Sequence, residues 1–300
     1  MSTANAGPLS NLEKRPVKIP VNKQVQRTLP PVQTHKTSSN SQNGIKSQQM
    51  KAALDKMVAG FDGDYSVYVY GFKDGTTYVH NEKPMLSASM IKMFILGKAY
   101  EEISRGKLSE QENITLKSSD FVGGAGNIQG MAVGTRLTVG YLLRQMIIES
   151  DNVATNIMID RLGMANINAY ITANGYKNTK LQRHMMDFAA QKQGLRNYTS
   201  AADLGKIFQL LYKHKCVNGP MDDKMLAILK DQTDNDKIPQ GLPAGTVVAH
   251  KTGELVGVFN DGGIIYSPKG DYVLVVLGND VGQEAIGNIA DISAKVYQLI

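Results

Sequence analysis

Over residues 1–45 the apolar side chains follow no period. This stretch holds five of the ten prolines among many Ser, Thr, Asn and Gln residues, a composition that cannot offset the entropy of ordering. It reads as a disordered basic linker. From residue 46 the pattern becomes regular. Residues 46–59 place Met50, Leu54 and Met57 on one helical face. Tyr65–Tyr70 and Thr76–His80 alternate as strands, joined through Lys73-Asp74-Gly75, a hairpin signal. Residues 88–104 predict a strongly apolar helix, and 138–161 a second helical stretch interrupted near 150. Residues 201–214 predict a third helix, capped by Ser200. Strands follow near 246–252, 258–266 and 272–278, then a closing helix at 283–299. A strand pair, a helical middle, three strands and a last helix predict an α/β (α+β) fold. One antiparallel sheet is fed by both chain ends and flanked by helices, with an all-helical subdomain inserted. The sheet subdomain would comprise residues 46–82 and 215–300, and the helical subdomain residues 83–214.

Charge narrows the function. The formal charge of +6 sits wholly in the first fifty residues, which hold seven basic side chains and one acidic; 26 of each remain for the other 250. A folded body without cationic bias argues against a nucleic-acid partner. The single cysteine, Cys216, excludes an internal disulfide and reads as a partly buried structural thiol. No run approaches the roughly 18 apolar residues of a membrane span, and no secretory signal is recognisable. The composition of residues 1–45 suits a stalk between a membrane anchor and a catalytic domain as well as a flexible tail.

Three short motifs carry chemistry. Ser89-Met90-Ile91-Lys92 opens a helix, where backbone N–H groups and the positive dipole end favour a developing anion. Lys92 lies one turn on, among Ile91, Met93 and Phe94, where burial lowers an ammonium's pKa and makes a base of it. Alone the motif is common, as Ser104-Arg105-Gly106-Lys107 shows, and Ser89 could be a plain N-cap. Ser150-Asp151-Asn152 interrupts an apolar helical run; it is either a helix break with a new cap or a proton relay (Ser150) beside an amide clamp (Asn152). Lys251-Thr252-Gly253 stands on a strand, offering a cation, a hydroxyl and a close backbone approach to a ligand, or else a protected sheet edge.

Taken together, in this order and on these elements, the motifs resemble those of the penicillin-recognising serine hydrolases, the class A β-lactamases and penicillin-binding proteins. The resemblance spans residues 46–300. It implies Ser89 as nucleophile, Lys92 as base and Ser150 as proton shuttle. Asn152, Lys251, Thr252, Gly253 and Glu254 would bind substrate, with the oxyanion hole formed by the backbone N–H groups of Ser89 and Glu254. It further implies a monomer with neither cofactor nor metal, in an extracytoplasmic setting, acting on a β-lactam or a peptidoglycan peptide. In one place the chain departs from class A. The glutamate that activates the deacylating water would fall at Met185 and its asparagine partner at Ala189, and no glutamate occurs between Glu149 and Glu254. Asp187 is the candidate deacylation carboxylate, or a loop cap. The expectation is a serine acyl-hydrolase trapped by β-lactams with slow deacylation; the alternative is a D-alanyl-D-alanine peptidase or other cell-wall amidohydrolase inhibited by them. His80, His184, His214 and His250 lack metal-ligand spacing and read as surface or structural. Asn260-Asp261-Gly262-Gly263 reads as a turn or bulge, and Phe121–Gly126 as a flexible rim.

Overall fold

The computed structural model describes residues 37–300; the basic stretch before Thr37 lies outside the described residues. Helix α1 (Thr37–Val58) begins earlier than its apolar period suggests. It is anchored near residue 46, where Lys46 pairs with Asp74 at 2.7 Å and Ser47 Oγ accepts from the Thr77 amide at 3.1 Å. A helix fixed by tertiary contacts can extend through residues of poor propensity. Strands β1 (Asp64–Gly71) and β2 (Thr77–His80) form the expected hairpin. Asp74 Oδ1 caps its turn by accepting from the Thr76 amide at 2.9 Å.

The middle of the chain contributes β3 (Met85–Leu86), a 3₁₀ turn at Ala88–Ile91, and α2 (Lys92–Ser104). Then come β4 (Asn113–Thr115), β5 (Arg136–Thr138), α3 (Val139–Ile148), α4 (Asn152–Leu162) and α5 (Met164–Ala173). They are followed by α6 (Phe188–Lys192), β6 (Tyr198–Thr199), α7 (Ala201–Tyr212) and α8 (Gly219–Lys230). Strands β7 (Val247–Leu255), β8 (Val258–Tyr266) and β9 (Tyr272–Asn279) precede α9 (Glu284–Leu299). Ser200 caps α7 as expected, accepting from the Asp203 amide.

The main sheet is antiparallel throughout, in the order β2-β1-β9-β8-β7, so the first and last parts of the chain meet at β1 and β9. Alternation along β1 sends Val67 and Val69 to one face, where they bury with Met50 and Leu54 of α1 and Ile289, Ile292 and Val296 of α9. The opposite face bears the larger core, in which Val273, Val275 and Leu277 of β9 join α2, α3, α4, α5, α7 and α8. Gly205 lets α7 approach this face: a Cβ there would lie 2.3 Å from the Tyr68 ring. The result is a layer of two helices, a sheet, and a helical mass on the other side, each apolar face covered.

One expectation fails. Asn260–Gly263 is neither turn nor bulge but regular strand in the middle of β8, paired on both sides with β7 and β9. Its small residues accommodate neighbours instead: a Cβ on Gly263 would fall 2.5 Å from His250.

Candidate functional site

Ser89 sits inside the 3₁₀ turn that feeds α2, and its side chain caps neither helix. The residue before it, Ala88, has φ 44°, a left-handed conformation costly to a side chain with a Cβ. The outer edge of β7 passes directly beside this turn. A Cβ on Gly253 would lie 3.0 Å from the Ser89 amide nitrogen and 3.1 Å from that of Met90, so glycine is what brings the strand's backbone against the serine. Asn260 secures the other side of the turn. Its Nδ2 donates to the carbonyls of Leu86 (3.0 Å) and Ser87 (3.2 Å), while its Oδ1 accepts from the Gly278 amide (3.2 Å).

Lys92 is fully buried at the start of α2. Its Nζ reaches the Ser150 carbonyl at 2.6 Å, Ser150 Oγ at 3.1 Å and Asn152 Oδ1 at 3.1 Å. Burial, reinforced by the nearby Lys251 cation, pushes its pKa well below that of an ordinary lysine, with Asp151 opposing. Thus two of the three motifs meet on one nitrogen. The 138–161 stretch does break and re-cap: α3 ends, Ser150 turns through φ 53°, and Asp151 starts α4 by accepting from the Ala154 amide at 2.8 Å. That single left-handed residue, at a cost of about 1 to 3 kcal/mol, is what aims both Ser150 polar groups at Lys92.

The Phe121–Gly126 rim is tied down. Asn152 donates from its amide to Ala125 O at 3.0 Å and from Nδ2 to Gly123 O at 3.3 Å. The Asp151 carboxylate accepts from the Ile128 amide at 2.8 Å. A Cβ on Gly126 would fall 2.1 Å from Asp151, so the loop closes on this segment only as glycine.

Lys251 is buried on β7 and donates to the Thr252 carbonyl at 2.8 Å. Burial lowers its pKa to about 8, with Asp234 and Asp261 opposing. Behind it, buried His250 pairs with buried Asp261 at 2.9 Å, confirming a structural histidine. Glu254, next along the strand, spends its side chain on Lys237 at 2.5 Å; Asp236 (2.6 Å) and Asp234 (3.1 Å) hold the same ammonium. Those three carboxylates gather closely enough for a cation, and the buried Lys237 already occupies their centre.

Ser89 opens into a cleft whose far wall is the 183–197 loop: Arg183, Met185, Met186, Phe188 and Arg196 face Ser89, Asn152 and Glu254. Met185 is buried, and its backbone is clasped by Asn156 of α4. Nδ2 donates to Met185 O at 3.1 Å, and Oδ1 accepts from its amide at 2.8 Å. Asp187 stands elsewhere. Its carboxylate caps α6 through the Ala190 amide at 2.9 Å, and the residue lines, with Asp160 and His184, an adjoining cleft that shares Met185 and Met186 with the first. The cap reading of Asp187 is what the geometry bears out. Asn156 escaped the sequence reading, since a lone asparagine gives no signal until its backbone partners are known; Asn260 lies in the segment read as a turn or bulge, where its hold on the Ser89 turn does not show.

Known proteins give the same picture. The extended-spectrum β-lactamase PER-1 of Pseudomonas aeruginosa is 26% identical over 87% of this chain and 90% of its own. A β-lactamase of Streptomyces albus G is 27% identical over 88% and 89%. Among solved structures, a mutant of PBP-A in acyl-enzyme complex with penicillin G superimposes with a TM-score of 0.77 and 25% identity, covering 85% of this chain and 96% of that one. The family described as the β-lactamase enzyme family matches residues 49–300, and the chain belongs to it.

Proposed function

We propose that the chain is a β-lactam hydrolase that opens the lactam on Ser89 and releases the resulting ester slowly. The first half rests on the Lys92 environment. With its pKa lowered by burial, Lys92 gives up a proton more readily than an ordinary lysine, and the neutral amine so formed has two N–H bonds and a lone pair. Nζ donates to the Ser150 carbonyl, to Asn152 Oδ1 and to Ser150 Oγ; the neutral amine keeps two of these bonds and frees its lone pair to take the Ser89 proton. As Ser89 Oγ attacks the lactam carbonyl carbon, its proton passes to Lys92. Ser150 then gives its own proton to the leaving lactam nitrogen and takes one back from Lys92. The carbonyl oxygen, negative in the tetrahedral intermediate, is received by the backbone N–H groups of Ser89 and Glu254; Gly253, the residue before Glu254, is what lets the strand come against the Ser89 amide. Thr252 and Lys251 serve the substrate carboxylate.

The second half rests on one observation: the loop position that Asn156 clasps inside the Ser89 cleft is a methionine. A thioether cannot take a proton from water, and Asp187 lines another cleft. Deacylation therefore lacks a general base on the loop, a loss of roughly 10² to 10⁴ in rate. The curated relatives are β-lactamases, which supports β-lactams as substrates over peptidoglycan peptides. Incubation with penicillin and intact-mass measurement tests the reading. A persistent adduct on Ser89 with slow turnover is expected; absence of both adduct and hydrolysis sinks it.

A further inference from the structure

The loop wall of the cleft carries two guanidinium groups that, among the described residues, form no ion pair. Arg183 is nine-tenths buried; its Nη1 donates to the His184 carbonyl at 2.9 Å, and its Nε is buried without any hydrogen-bond partner. Arg196, beside it, donates only to the backbone carbonyls of Gln191 and Leu195. Among the described residues neither forms an ion pair, although buried arginines are ordinarily matched to carboxylates. The residue placed to provide one is the amide Asn197. Its Oδ1 accepts from the Gln182 and Arg183 backbone amides, and its Nδ2 donates to Arg183 O, so it fixes the Arg183 backbone without neutralising its side chain. Around them stand Met185, Met186 and Phe188, which bring no charge. Asp187 is spent on its helix cap and Glu254 on Lys237. Burial and the neighbouring Arg196 disfavour the Arg183 cation, with the Asp187 carboxylate partly opposing them from beyond ion-pair distance.

We infer that Arg183 and Arg196 form a second anion subsite, facing Ser89 across the cleft from Lys251, and that this subsite selects β-lactams bearing a carboxylate on the acyl side chain. The inference rests on the acylation of Ser89 proposed above. A guanidinium already desolvated meets a carboxylate at little further cost, and a planar fork suits a carboxylate's two oxygens.

The test compares two probes that differ by one group, benzylpenicillin and α-carboxybenzylpenicillin. Acylation rates are followed by intact mass on the full chain. The carboxylated probe should acylate faster by about tenfold, the worth of one charge-assisted hydrogen bond. High salt should shrink that ratio, and Arg196→Gln and Arg183→Gln should bring it toward one, with Arg183→Lys retaining part of it. Use of a ratio removes general effects of a substitution on folding or acylation. Should Arg183→Gln fail to fold, Arg196→Gln and the salt series decide. Equal rates in the parent chain, or a preference that survives both substitutions, overturn the subsite while leaving the hydrolase reading intact. If neither probe labels Ser89, both fall.

Discussion

The two walls of the Ser89 cleft are built on opposite plans. On the acylation side every polar group is spoken for: Lys92 meets Ser150 and Asn152, Asn152 holds the 121–126 rim, and Asp151 caps α4 while gripping Ile128. On the loop side the backbone is equally well held, by Asn156 and Asn197, but the side chains are thioethers, a phenyl ring and guanidiniums without an ion-pair partner among the described residues. The contrast separates two things a protein can preserve independently, the placement of a loop and the chemistry displayed on it. Three left-handed non-glycine residues, Ala88, Ser150 and Met186, adjoin the cleft, so both walls carry local strain that the surrounding bonds sustain.

The largest effect should come from the organised wall. Ser89→Ala is expected to abolish the penicillin adduct, with hydrolysis falling by about 10⁴-fold or more; intact mass and chromogenic turnover read it. A surviving adduct would place the nucleophile elsewhere. Next, Met185→Glu restores a carboxylate at a position whose backbone is already fixed. Deacylation should accelerate by roughly 10² to 10³, measured as the decay of the preformed adduct. An unchanged decay rate would show that the loop lacks more than a base.

The pH profile sharpens the same contrast. Acylation should rise with pH as Lys92 loses its proton, because its lowered pKa makes the neutral amine available. It should then fall as Lys251 deprotonates near about 8 and ceases to attract the substrate carboxylate. Lys251→Arg, which stays charged, should flatten the alkaline limb of the second-order rate. If that limb persists in the arginine variant, another group sets it.

Two stability measurements come last. Asn156→Ala strips both partners from the Met185 backbone, costing about 2 kcal/mol for buried groups left unpaired, readable by chemical denaturation. Asp187→Ala removes only a helix cap, about 1 kcal/mol, and adduct decay should not change. A slower decay would return Asp187 to the chemistry.

Periodicity made the sheet and most helices legible, since each main strand and amphipathic helix buries one face. It missed α5, whose Met164–Ala173 sequence is rich in asparagine and β-branched residues and is held helical by burial of Ile167, Tyr170 and Ile171. It missed α8 although Asn218 caps it with Pro220 in its first turn, signals that a cap-by-cap reading detects. The pairs β3–β6 and β4–β5 are too short for any alternation to show. The motif residues converge as their order suggested, but Asn156 and Asn197 did not stand out, and Asn260 did so only as part of a turn or bulge. Each acts by bonding backbone atoms remote in sequence, a property that belongs to the fold and leaves no local pattern.

The clasp of Asn156 on Met185 has a further meaning. Because it grips main-chain atoms alone, residue 185 keeps its address whatever side chain it carries. On the proposed chemistry, the lifetime of an acylated molecule then becomes a dial set by one side chain, within the range that this buried position accepts. A scaffold arranged in this way can pass from a drug-destroying catalyst to a long-lived drug sink without rebuilding any of its architecture.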